Sequence, residues 1–235
     1  MNKKVCPFAI SFKLDTVVGA QTTVIRFCTK EMKAIALCAV TGALLATAMG
    51  VAASAEPPAA LTVRLYNASG IAAPELVAAR HAIDATFEDT GLDLIVRHCG
   101  PPLSPGGQPD LCGERLKPFE VVVRIIEAPT FSASLDPEAC GMAYVVKETD
   151  RGWLATAFSD RIANAASRVG VDAGTLLGLV IAHEVGHLML GGRYHSWQGV
   201  MRADWPEALL ERKSDQWRFS KLEGAMMRQV ASIRF

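Results

Sequence analysis

Leu176–Leu190 reads Leu-Leu-Gly-Leu-Val-Ile-Ala-His-Glu-Val-Gly-His-Leu-Met-Leu, and only His183, Glu184 and His187 break its apolar character. A stretch apolar on nearly every side predicts a helix inside a core rather than on a surface. Asp172 stands where a cap is needed and Gly191-Gly192 where a stop is, so the helix is predicted from about Ala173 to Leu190. The rest of the chain must pack around it. Burying two imidazoles and a carboxylate there costs several kcal/mol unless something pairs them.

A metal ion would pair them. His183 and His187 are at i and i+4, so on a helix both project from one face within reach of one ion. Neutral imidazole suits zinc. Glu184 sits beside the first ligand, where its carboxylate can reach a water rather than the ion. Zinc hydrolases use this arrangement: the ion polarises a carbonyl and lowers the pKa of a water, and the Glu takes the proton. A catalytic zinc takes three protein ligands and leaves a fourth position open. His195, just past the glycine break, is the favoured third ligand. Glu207 is the rival, at the spacing of thermolysin-like enzymes, with Pro206 where those carry Asn.

The string His183-Glu-Val-Gly-His187-Leu-Met-Leu-Gly191-Gly-Arg-Tyr-His195-Ser-Trp-Gln-Gly-Val-Met201 resembles the metzincin clan of zinc metallopeptidases. The clan signature is HExxHxxGxxH followed by a tight turn whose Met lies beneath the metal. Here Gly191 falls one residue later and His195 two residues later than in that signature. The segment is also similar to a set of bacterial exported proteins with the pattern HExGHLLLGxxxHSxxGIMRxxW. Gly191, His195, Ser196, Gly199, Met201, Arg202 and Trp205 match it in place. The resemblance covers residues 183–205. It implies one catalytic Zn2+ on His183, His187 and His195, Glu184 as general base, and Met201 as the Met-turn residue. It also implies that the strand around Met142–Val146 is a sheet edge that accepts an extended peptide. Tyr194 and Arg202 are candidates for steadying an oxyanion, by proximity alone. His81 and His98 are read as bystanders.

The N-terminal part reads as an export signal. Met32-Lys33 precedes an uncharged, Ala- and Leu-rich run from Ala34 to Ala53, which ends in Ala53-Ser54-Ala55 before Glu56-Pro57-Pro58. A basic start, an apolar stretch and a small-x-small site describe a secretory signal peptide. The expected organisation is 1–31 as a non-native or disordered extension, 32–55 as the signal, and 56–235 as one zinc metallopeptidase-like domain. Export to the periplasm or medium places the mature part where disulfides form. Cys99 and Cys112 bracket a Pro/Gly-rich loop and are the candidate pair. Cys140 is left over, as a buried thiol or a reactive one, and could in principle occupy the fourth zinc position.

Six basic and two acidic residues fall in 1–55, against 18 and 22 in 56–235, so the mature part is mildly acidic. That excludes a dedicated nucleic-acid binder. With half its residues apolar, the chain is not disordered. The expected partner is a peptide or protein substrate. The chain is expected to be a monomer without stable membrane insertion once the signal is cut.

Alternation and turn residues predict strands at 61–66, 92–97, 119–126, 141–147 and 153–158. Helices are predicted at 75–88, 173–190 and 219–230, with a further start at Pro206. This order predicts an α+β fold: one zincin- or metzincin-like domain with a mixed, twisted sheet, an N-terminal helix, a central active-site helix and a C-terminal helix. Two other readings stand beside the peptidase. One is a non-catalytic zinc- or peptide-binding module, with Cys140 or Glu207 closing the metal site as a fourth ligand. The other is a zinc hydrolase of a non-peptide amide or ester.

Overall fold

Val121, Val123 and Ile125 are fully buried, as are Val63 on one neighbouring strand and Ala155 and Ala157 on the other. Apolar runs of this kind belong to strands covered on both faces. They form the middle of a mixed sheet in the computed structural model, which describes residues 12–14, 60–100, 112–129, 136–206 and 214–233. In chain order the elements are β1 (Phe12–Leu14), β2 (Ala60–Asn67), α1 (Ala73–Phe87), β3 (Asp93–Cys99), β4 (Glu120–Ile126), β5 (Gly141–Val146), β6 (Arg151–Phe158), α2 (Ser159–Val169), α3 (Ala173–Leu190) and α4 (Lys221–Ile233). The strand order is β1-β5-β6-β4-β2-β3. β3, β2, β4 and β6 run parallel, and β5 returns antiparallel to β6 through the turn at 147–150.

α3 lies against β4, β5 and β6, and α1 packs along it. The two helices approach closely because small residues face each other. A Cβ on Gly178 would lie 2.3 Å from the Ala79 carbonyl oxygen and 2.7 Å from the Ala82 Cβ. By length and apolar composition α3 could cross a membrane, yet 89% of it is buried inside the protein. Its start is as expected: the Asp172 carboxylate accepts from the Thr175 amide at 2.7 Å.

The α+β architecture read from the sequence is thus the observed one. Three features differ from the expected elements. α2 was not anticipated, although Ile162, Ala165 and Ala166 form its buried side and Gly170, at φ 69°, ends it in a left-handed cap. α4 starts at Lys221 rather than Phe219 because Ser220 and Glu223 form a reciprocal cap: the Ser220 amide donates to the Glu223 carboxylate at 2.6 Å, and the Glu223 amide to Ser220 Oγ at 3.2 Å. Phe12–Leu14, within the leading extension, pair in parallel with Tyr144–Val146 along the edge of β5. The signal segment 32–55 and residues 207–213, with the helix start expected at Pro206, lie outside the described residues apart from Pro206 itself.

Cys99 and Cys112 form the expected disulfide. It closes the loop beside a buried ion pair. Arg64 and Glu120 are each 2% exposed and bond through Arg64 Nη2 and Glu120 Oε2. Arg64 also donates to the Cys112 and Glu114 carbonyls, at 3.2 and 2.7 Å. In the full chain Cys140 is disulfide-bonded rather than left over. A cystine sulfur has no thiolate to give, so in that state Cys140 is not a zinc ligand.

Candidate metal centre

His183, Glu184 and His187 occupy the C-terminal half of α3 and are at most 1% exposed. The i,i+4 spacing does what it predicts: the two imidazoles meet, with Nε2 atoms 2.9 Å apart. Each Nδ1 faces a carbonyl oxygen, Val200 O at 2.8 Å for His183 and Gly191 O at 3.2 Å for His187. A carbonyl only accepts, so each Nδ1 carries the proton and each Nε2 presents a lone pair.

Two lone pairs aimed at one another at that distance repel unless a cation lies between them. A proton is disfavoured. Burial, reinforced by His187, holds His183 well below the usual imidazole value, and burial with His195 lowers His187 to about 4. A metal ion fits the donor set instead. His195 completes it: ligand atoms of His183, His187 and His195 all lie within 4.8 Å of one another. Among the described residues this is the one cluster of three or more His, Cys, Asp or Glu side chains so arranged. The helix break at Gly191, with φ 118°, turns the chain back so that His195 reaches the pair.

Glu184 is fully buried, and neither carboxylate oxygen has a hydrogen-bond partner. Burial alone pushes its pKa well above the usual carboxylate range. An ionised carboxylate left unpaired there is costly, so the position suits a group that exchanges a proton with a water or substrate. Gly141, the first residue of β5, forms its wall.

The segment after His195 is a tight, cross-braced turn. The Ser196 amide donates to Met201 O at 2.8 Å, Arg202 Nη1 to Trp197 O at 2.8 Å, and Gly199 adopts φ 73°. The turn drives Met201 inward. Met201 is fully buried, and its sulfur would lie 2.3 Å from a Cβ on Gly186. Val200 is the keystone that the sequence could not show, since its carbonyl accepts from both His183 and Trp205 Nε1, the latter at 3.2 Å. Trp205 is fully buried, edge-on to His183 at 5.8 Å and against Trp217 at 5.0 Å. Its place in the matched pattern was the available signal. Asp150 was also missed: its carboxylate accepts from the Gly192 amide at 3.3 Å and braces the glycine break.

Not every candidate joins the site. Arg202 is committed to the Trp197 and Asp204 carbonyls. Tyr194 packs on the core, where burial and the Glu223 carboxylate raise its pKa. His81 is exposed on α1 and His98 lies in β3, outside the cluster. Glu207 lies outside the described residues.

No protein-family model matches the chain. No curated protein matches it either. Among solved structures it is similar to archaemetzincin from Methanopyrus kandleri, at 15% identity over 76% of this chain and 99% of that one, with a TM-score of 0.45. It is similar to metalloproteinase-II from Bacteroides fragilis at 13% identity over 74% of this chain, with a TM-score of 0.44, and spans 53% of that protein. It is also similar to a zinc-dependent peptidase from Methanocorpusculum labreanum, at 14% identity over 70% of this chain and 99% of that one, with a TM-score of 0.43.

Proposed function

We propose that the chain is an exported zinc metallopeptidase that hydrolyses peptide bonds, with His183, His187 and His195 as ligands and Glu184 as general base. The observation that carries this reading is the convergence of two neutral Nε2 lone pairs next to an unpartnered buried carboxylate. A zinc ion held there would supply Lewis acidity, polarising the substrate carbonyl and lowering the pKa of a water. The chain's own groups do the rest. Val200 O and Gly191 O hold the two histidines in the tautomer that leaves Nε2 free. Glu184 accepts the proton of the attacking water and passes it to the departing amine.

On this reading Met201 is the Met-turn residue and the edge of β5 accepts an extended substrate. Cleavage after Ala55 would remove Phe12–Leu14 from that edge and open it to a peptide. The mature protein works in the periplasm or medium as a monomer.

Zinc per chain and hydrolysis of a mixed peptide library test the proposal together. Wild type and Glu184→Gln should each hold one zinc, and His195→Ala none. Glu184→Gln should lose roughly 10²- to 10⁴-fold in rate. Zinc lost in Glu207→Ala but kept in His195→Ala would move the third ligand. A wild type that takes up no zinc would overturn the proposal.

A further inference from the structure

An open cavity of about 860 Å³ lies at the N-terminal ends of β4 and β6, walled by the segment entering β4, the start of β6 and Val230 of α4. None of the metal-site residues lines it. Its volume is that of a small-molecule site. Trp153 stands in its wall with 53% of its surface exposed. Three cations, Arg115, Lys117 and Arg151, share that wall.

The charge in this wall is unbalanced, with three cations and one carboxylate. Arg64, Arg80, Arg97, Arg168 and Arg218 all pair with carboxylates. Among the described residues, Arg115, Lys117 and Arg151 form no ion pair; the Arg151 side chain reaches only the Asp150 carbonyl, at 3.1 Å. The one carboxylate in the wall, Glu120, is already taken. It is bound to Arg64, accepts from the Lys117 amide at 2.9 Å, and has Arg97 at 3.6 Å. Lys117 also lies in the field of Glu120, yet three cations face that one shared carboxylate, so the cavity combines surplus positive charge with an exposed indole and apolar walls.

We infer that this cavity is a second binding site, for a small organic acid: a carboxylate carried on a flat apolar body. The guanidinium and ammonium groups would take the carboxylate and the Trp153 face the apolar part. The site is independent of the metal centre and of the peptidase reading.

The test uses 4-phenylbutyrate and its uncharged amide as probes, with purified protein. Binding is followed through the indole N–H resonance of Trp153, assigned with Trp153→Phe. The acid should bind at least about tenfold more tightly than the amide, the margin of one charge-assisted hydrogen bond. Lys117→Gln combined with Arg151→Gln should reduce the acid to the level of the amide. Both changes are on solvent-reached side chains, and an unchanged urea unfolding midpoint would show that the variant is folded. Equal binding of acid and amide would overturn the inference. So would no binding up to about 10 mM. Acid binding that survives the double substitution would place the carboxylate elsewhere, at the metal centre for example, and would overturn it too.

Discussion

Gly141 and Glu184 stand so close that a Cβ on Gly141 would lie 2.6 Å from Glu184 Oε1 and 3.0 Å from Cδ. The start of β5 is thus shaped around the carboxylate. A methyl group at 141 would force Glu184 out of its place, and a misplacement of about 1 Å at a reacting group can cost on the order of a hundredfold in rate. Gly141→Ala should therefore keep its zinc and lose most of its peptidase rate. Parallel metal analysis and peptide hydrolysis check this; a fully active Gly141→Ala would show that Glu184 has room to spare.

Met201 and Gly186 make a second tight contact, with a Cβ at 186 reaching 2.3 Å from the Met201 sulfur and 3.1 Å from the Phe219 ring. Gly186→Ala should destabilise the fold by roughly 1–3 kcal/mol through overpacking. Shortening residue 201 should give part of that back. In a double-mutant cycle with Met201→Ala, urea unfolding should show coupling of about 0.5 kcal/mol or more. Strict additivity would mean that the two residues do not share the space.

Removing the metal should loosen the protein. An ion bound at a thousand times its Kd stabilises the native state by about 4 kcal/mol, which for a chain of this size is roughly 10 °C in Tm. Thermal scans with chelator and with added zinc should differ by that order in the wild type. In His195→Ala the two scans should nearly coincide. An equal zinc response in both would remove His195 from the ligand set.

Acid should attack the Arg64–Glu120 pair. Burial raises the Glu120 pKa, but the Lys117 amide and the Arg64 guanidinium outweigh that and hold it below its ordinary value of 4.5. Above pH 4.5 folded and unfolded chains are both ionised at this residue, and its full contribution is present. Below it the unfolded chain binds the proton first, so stability falls as pH drops through the folded pKa. Glu120→Gln leaves Arg64 buried without its partner. It should cost about 3 kcal/mol at pH 7 and flatten this acid limb. Urea titrations at pH 7 and pH 4 measure both effects.

Much of the fold was legible because its elements announce themselves locally. β4 is an unbroken β-branched run, α3 has a cap, an apolar body and a glycine stop, and these were read within a few residues of where they lie. α2 was missed because it follows β6 without a loop, at Ser159, where no turn residue marks the change of period. At the metal centre His183, Glu184, His187 and His195 could be named from spacing. Gly141, Asp150 and Val200 could not, since each acts through backbone shape or a contact distant in sequence.

The sequence by itself determined that two histidines and a glutamate share a buried helix, because a helical period and an apolar surround are local properties. It determined in the same way where that helix begins and ends, whereas the Cys99–Cys112 pairing was only a candidate until the structure showed it. Only the tertiary structure decided that both Nε2 lone pairs converge, because the carbonyls that orient the rings come from Val200 and Gly191, which a helical period does not position. It alone decided that His195 turns back to join them and that Met201 closes on Gly186. Such contacts depend on chain segments brought together by packing, and no local pattern encodes the distance between them.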